Sequence, residues 1–561
     1  TYFSLQPGFS FDGFAKKLRD IHLGVKPDDT DIGYVWLPLE KIHLYHSDGS
    51  EGGASTVRMF MIIAILILLI ACINYVNLST ARSMLRSKEV SLRKIVGAAK
   101  WQLFLQFIIE TILLFVFAII ISLILVYVLL PLFNQISGKN IVINFADYHI
   151  WIIVLSSVLG TLVLSSIYPA ILLSSFEPVK ALKGKMSARI SSALFRKILV
   201  VIQFTFSIVL ITGTIVIGNQ LRYIQSKQLG YDKENVLTMP MIHMAPHLDA
   251  IRADLLKQRG VTNVTWSGGD IIDLGGQTGD NEWDGKQKGE TVMLSPINVD
   301  EHFIPFFKIQ LIDGKNFDGA VSDSTHFILN ETAVADMRLK NPIGKRIRLW
   351  GTTGMITGIV KDFNFESVRN KIKPAIFYNH QKTFGQIYVR TTGKDLPNVI
   401  AAAKEEWKKY NADFSFNYNF LDDKFKSLYE NEQRTGLLFN IFAGIAIFIS
   451  CLGLFGLAAY TAQVRMKEIG VRKVLGASVP GIVQLLAKDF VKLVVIAIAI
   501  ATPVAWYIMN AWLQDFAYKT NLSWSVFVIA GVVSILIALI TISFQAIKAA
   551  IANPVKSLRT E

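Results

Sequence analysis

The sequence predicts a polytopic α-helical membrane protein, with seven spans in this fragment, eight if intact, and an extracytoplasmic α+β domain. Three observations predict it. The chain is 52% hydrophobic with mean hydropathy +0.41, well above a soluble domain, and its apolar residues come in long blocks. A span needs about 20 apolar residues to cross the hydrocarbon core. Seven stretches qualify, at 59–76, 104–130, 150–173, 198–217, 437–460, 482–509 and 524–544. The third observation is a repeat. Lys88-Glu89-Val90-Ser91-Leu92-Arg93-Lys94-Ile95-Val96-Gly97-Ala98 returns as Lys467-Glu468-Ile469-Gly470-Val471-Arg472-Lys473-Val474-Leu475-Gly476-Ala477. In the same register Cys72 falls on Cys451 and Glu110 on Asp489, and with a small shift 177–182 answers 553–558. The chain is internally duplicated.

Taken in order, 1–56 is polar, with a short amphipathic helix at 14–19. Its segment 39–45 resembles 422–429 with a one-residue gap, so 1–56 reads as the remnant of a first extramembrane domain. Residues 57–176 hold the three spans of unit one, and 177–197 form a linker. A span at 198–218 opens unit two, a polar insert occupies 219–434, and three more spans fill 435–561. Because unit two opens with a span and an insert, the repeat implies that a matching span and insert precede Thr1.

Charge sets the orientation. Arg82, Arg86, Lys88, Arg93, Lys94 and Lys100 face only Glu89 across the first repeated loop, while 131–148 carries just Lys139 and Asp147. Arg465, Lys467, Arg472 and Lys473 repeat the pattern, and 514–521 holds only Asp515 and Lys519. Basic residues near span ends stay cytoplasmic, so the repeated loops and C-terminus are expected inside and the insert outside. Trp151, Trp506, Tyr507 and Trp512 then lie towards the outer interface. The net charge of +14 resides on the cytoplasmic loops, where anionic headgroups attract it. It gives no basic groove interleaved with aromatics, and nucleic-acid binding is excluded as its meaning.

The insert reads as α+β with antiparallel hairpins. Strands are expected at 236–239, 261–266, 327–330, 346–350 and 355–360, and helices at 250–259, 332–339, 396–410 and 422–434. Residues 219–227 extend the preceding helix as a stalk, 270–290 is a Gly- and Asp-rich loop, and Gly351-Thr352-Thr353-Gly354 is a hairpin turn. Cys72 and Cys451 both fall in spans, so the insert has no disulfide.

No catalytic set emerges. The sequence has neither a Walker A run nor His-Glu-x-x-His. His243 and His247 are separated by Pro246, and His43 and His46 lack completing ligands, so no metal site is expected. Glu110 and Asp489 lie near the cytoplasmic ends of their spans, where water or an Arg satisfies them without a proton relay.

The repeated loops read as short helices. Glu89 and Glu468 suit the positive end of the dipole, Arg93-Lys94 and Arg472-Lys473 the negative end, and Gly97 and Gly476 the C-cap. Val90, Ile95 and Val96, with Ile469, Val474 and Leu475 in unit two, give an apolar face. Such a face fits either a partner's groove or the inner leaflet.

The run Glu468 to Ala477, between two spans, resembles the cytoplasmic loop of MacB/FtsX-like ABC transporter permeases. The pieces 327–333, 341–345 and 358–363 resemble their periplasmic core domain. The resemblance implies a permease of the mechanotransmitting type in the cell inner membrane. Its loop helices would dock on a cytoplasmic ABC ATPase dimer, which binds ATP and Mg, so that this chain needs no cofactor or metal. A periplasmic or outer-membrane partner is a further implication. The ATPase-coupling residues are then Glu89, Val90, Leu92, Arg93, Lys94 and Gly97, with Glu468, Ile469, Gly470, Val471, Arg472, Lys473 and Gly476. Ser91 stands where unit two has Gly470, so the two loops need not couple equally. Two other readings compete. A secondary transporter would favour inverted repeats and charged residues at mid-membrane. A sensor would need an output module, for which 553–561 is too short.

Overall fold

The computed structural model describes every residue except 1–10, 26, 28–31, 46–51, 175–187, 273, 288, 368, 381–383 and 552–561. The second repeated pair, 177–182 and 553–558, lies outside the described residues, as does His46. The chain forms two compact units. One comprises Thr1–Glu51, Arg222–Asn431 and Gln514–Lys519; the other comprises Gly52–Leu221, Glu432–Leu513 and Thr520–Glu561. Among the described residues seven helices are long and apolar enough to cross a membrane.

Helix α1 (Phe11–Val25) precedes the first span, α2 (Gly53–Leu85). The loop helix α3 (Ser87–Ile95) follows at once, then α4 (Lys100–Ser137), α5 (Tyr148–Ser174) and α6 (Ala188–Ser226). The loop expected from 131 begins later, because α4 continues through Pro131 and ends at Gly138, whose φ of +67° suits a left-handed cap. Helix α6 runs on to Ser226, giving the expected stalk.

The α+β domain then builds two sheets. Strands β1 (Val236–Pro240) and β2 (Val261–Ser267) flank α7 (Leu248–Leu256). Next come β3 (Asn281–Trp283), β4 (Ser295–Asn298), α8 (Phe303–Phe306), β5 (Leu311–Gly314), β6 (His326–Asn330) and α9 (Glu331–Asp336). The hairpin β7 (Arg346–Leu349) and β8 (Thr352–Val360) leads to β9 (Ala375–Tyr378) and β10 (Gln386–Thr391). Helix α10 (Leu396–Tyr410), β11 (Asn419–Phe420) and α11 (Leu421–Leu428) complete it.

The smaller sheet has the order β11-β1-β10-β2 and is antiparallel throughout. Helices α7 and α10 cover it, burying Ile251, Leu255, Val399 and Trp407 against Leu237, Val264 and Val389. The larger sheet runs β3-β7-β8-β6-β9-β4, with β5 added on β8. It is mixed: the expected antiparallel hairpin forms between β7 and β8, while β6 pairs β8 and β4 pairs β9 in parallel. An aromatic core joins the sheets, with Phe377 of β9 and Tyr388 of β10 meeting Phe303, Phe307 and Phe363. The hairpin turn is Trp350-Gly351, not the four residues from Gly351. Leu349 pairs Thr352, and φ of +48° and +84° at the two turn residues is the twist a two-residue loop requires.

The second membrane half consists of α12 (Glu430–Val464), the loop helix α13 (Met466–Val474), α14 (Val479–Leu513) and α15 (Trp524–Ile551). The expected single helix over 422–434 is broken at Tyr429, between α11 and α12. Burial sorts the spans. The most apolar window of α6 is 67% buried and that of α4 is 0% buried, so α6 is a packing hub and the apolar middle of α4 is left uncovered by the rest of the chain. Ala497, Ala501 and Ala505 put a small-residue stripe on α14, where it packs with Phe204 and Ile208 of α6 and Ile542 of α15.

Candidate functional site: the paired loop helices

Each loop helix spans nine residues and leaves its span through one arginine. Arg86 has φ −86° and ψ 3°, and Arg465 has φ −93° and ψ 12°, so the same corner is built twice. The carbonyl of each arginine accepts the first bond of its helix, from Val90 N–H at 3.0 Å and from Ile469 N–H at 2.9 Å.

The finish is equally matched. Ala98 N–H donates to Arg93 O and Gly97 N–H to Lys94 O, at 2.9 and 3.1 Å. Ala477 donates to Arg472 O and Gly476 to Lys473 O at the same distances. This is a Schellman close, and the positive φ of +104° at Gly97 and +89° at Gly476 is what makes glycine fit there.

Ion pairs fix the helices internally and to the following span. Arg93 lies 2.8 Å from Glu89, and Arg472 lies 2.9 Å from Glu468. Arg86 lies 3.1 Å from Glu89 and 2.9 Å from Glu110 of α4, while Arg465 lies 3.1 Å from Asp489 of α14. Hydrogen bonding from Arg86 holds the Glu89 carboxyl below its usual range, and Glu89 with Glu110 pushes the Arg86 guanidinium up. The two anchoring arginines were absent from the expected site set. Their signal was present, since each precedes its repeated stretch by two residues.

The copies differ in their further contacts. In unit one Gln106 accepts from Arg93 at 2.7 Å and donates to Glu110 at 3.1 Å. In unit two Lys473 Nζ donates to the Ala550 carbonyl of α15 at 2.7 Å.

The apolar face is divided, which corrects the expectation. Val90 is buried against Leu103 and Phe107, and Ile469 against Ile482, Leu486 and Ala546, with Gly470 buried beside it. These three face inward because the loop helix must cover the start of the next span. The exposed face is Leu92, Ile95 and Val96 in one copy and Val471, Val474 and Leu475 in the other. Val96 is 87% and Leu475 80% exposed, so the tip of each helix presents bare apolar surface. Among the described residues no group of three His, Cys, Asp or Glu side chains could hold a metal.

The chain is a polytopic helical membrane protein with a duplicated loop-helix unit and an α+β domain. Residues 61–178 and 440–554 match the family model of the FtsX-like permease C-terminal domain, one match in each half of the duplication. No curated protein matches the chain. Among solved structures it is similar to the periplasmic region of MacB from Actinobacillus actinomycetemcomitans. That likeness has 15% identity over 37% of this chain and 97% of the other, with a TM-score of 0.26. It is also similar to the extracellular domain of the noncanonic ABC-type transporter YknZ from Gram-positive bacteria. There the identity is 12% over 36% of this chain and 92% of the other, with a TM-score of 0.23.

Proposed function

We propose that the chain is the permease subunit of an ATP-driven ABC transporter, coupling hydrolysis by a partner ATPase to movement of the α+β domain. One observation supports this most. Two matching helices sit beside spans, each capped, anchored by an arginine and ending in exposed apolar residues. A lone exposed Leu is ordinary, but two matched apolar tips on otherwise basic loops fit a partner's groove.

In this reading Leu92, Val96, Val471 and Leu475 meet the ATPase. Arg93, Lys94, Arg472 and Lys473 line the contact, and Val90, Ile469 and Gly470 seat the helices from behind. Glu89 and Glu468 hold the arginines, while Gly97 and Gly476 set the return to the membrane. Both loops lie in the cytoplasm, 219–434 forms a periplasmic core domain, and 57–176 and 435–561 are the two permease units of an inner-membrane protein. ATP and Mg belong to the partner, and this chain performs no chemistry. Opposite movements at the two loops would reach the domain through the spans, with α6 and α12 flanking its sequence.

Full-length chain purified alone is expected to hydrolyse no ATP. Chain isolated from its native membranes under mild conditions is expected to bring an ATPase with it. Hydrolysis by a homogeneous preparation of this chain contradicts the reading.

A further inference from the structure

Asn74 and Gly453 occupy equivalent positions in the duplication, in the register that sets Cys72 on Cys451 and Lys88 on Lys467. They also touch. Asn74 Nδ2 donates to the carbonyl of Ile449 on α12, and a Cβ on Gly453 would fall 1.7 Å from Asn74 Oδ1. When two copies are related by a twofold axis, a residue on that axis meets its own counterpart. The flanking contacts obey the same axis. Phe60 of α2 packs against Phe442 of α12 at 5.9 Å between ring centroids, and their counterparts, Phe439 and Ile63, lie in the same buried cluster.

We propose that Asn74 and Gly453 mark the axis of an internal dimer, and that their unlike side chains make the two halves of this chain each other's required partner. At an axis position two like halves would bring either two Asn side chains into the space of one or two glycines around a void. The observed pair avoids both: the amide of one helix fills the space left by the missing side chain of the other. One turn on the divergence recurs, since Asn77 is the counterpart of Gly456, and a Cβ on Gly456 would lie 3.1 Å from Leu78 Cδ1. Asn77 is 1% exposed, so the helix that carries Asn74 buries a second polar side chain within the membrane unit. Buried Asn residues at helix seams fix register and partner choice, and glycine lets membrane helices approach closely. One chain therefore closes its own transmembrane seam, without like halves from two chains meeting there. This inference does not rest on the ATPase reading.

A swap series tests it in the full chain. Gly453→Asn alone and Asn74→Gly alone are each expected to lower the amount of monodisperse protein extracted from membranes several-fold. The swapped pair N74G/G453N is expected to restore it to near the parent amount. A swap no better than either single change overturns the complementarity. Independently, Asn74→Cys and Gly453→Cys are placed in a background with Cys72→Ala and Cys451→Ala and oxidised in membranes. The double variant is expected to close a link within one chain, and neither single variant to give a covalent two-chain product. Such a product from N74C or G453C alone would put like halves together and overturn the proposal.

Discussion

Arg86 reaches Glu110 at 2.9 Å and, in the second half of the chain, Arg465 reaches Asp489 at 3.1 Å. Each bond ties the corner before a loop helix to the span that follows it. Exposed ion pairs contribute about 0–1 kcal/mol, so the pair is a strut that sets direction and adds little to overall stability. Asp489→Asn is expected to leave protein abundance unchanged while increasing hydrogen exchange across 466–474. The exchanged pair Arg465→Asp with Asp489→Arg is expected to recover protection. Equal protection in all variants would remove the strut.

Gly476 is expected to tolerate Asn but not Val. Its φ is +89°, and a Cβ at this position would meet no heavy atom within 4 Å beyond its immediate chain neighbours, so the cost is backbone strain and not a clash. A left-handed β-branched residue costs about 1–2 kcal/mol, which Asn partly avoids by local hydrogen bonding. The measurement is amide protection of Ala477, whose N–H closes the cap on Arg472 O.

Replacing Ile469 with Ala and Leu475 with Asp should separate the two faces. Ile469 is buried, and losing its side chain is expected to cost about 2 kcal/mol or more and to reduce thermal stability. Leu475 is exposed, and its replacement should leave stability within about 0.5 kcal/mol of the parent. Equal losses of stability would contradict the inward and outward assignments.

Acidification offers a further check. The folded Glu89 carboxyl is depressed, so its contribution is complete above the ordinary carboxylate value and disappears as pH falls through the lower folded value. Amide protection of Arg93 and Lys94 is therefore expected to outlast the ordinary titration of an exposed glutamate. Glu89→Gln should remove this acid-dependent step.

Much of this was legible in the sequence, because membrane length and helix-cap chemistry are local properties. All seven spans lie inside helices of the structure, and the amphipathic pattern at 396–410 coincides with α10. What was not legible required a neighbour. Parallel pairing of β6 with β8 depends on how the chain crosses between them, and no residue pattern in either strand states it. Val90 and Ile469 look like the other apolar residues of their loops until Phe107 and Leu486 pack behind them. The loop was expected to begin at Pro131, yet a membrane helix can absorb proline when nearby groups satisfy the freed carbonyl.

Sidedness has a direct test. In a background without Cys72 and Cys451, a cysteine at Ser478 is expected to label only from the cytoplasm and one at Ser322 only from outside. Both positions are exposed. Labelling of the Ser478 position from outside would reverse the orientation of both loops.

The most direct measurement of the coupling account compares the parent with the double variant Val96→Asp and Leu475→Asp, each purified from native membranes under identical mild conditions. ATPase recovered with the chain, and the ATP turnover of that complex, are read together with chain abundance. The account predicts normal abundance with at least about a tenfold loss of both readings, roughly 1.4 kcal/mol of binding. Unchanged recovery and turnover with both apolar tips replaced would contradict it and leave the loop helices as membrane-surface anchors.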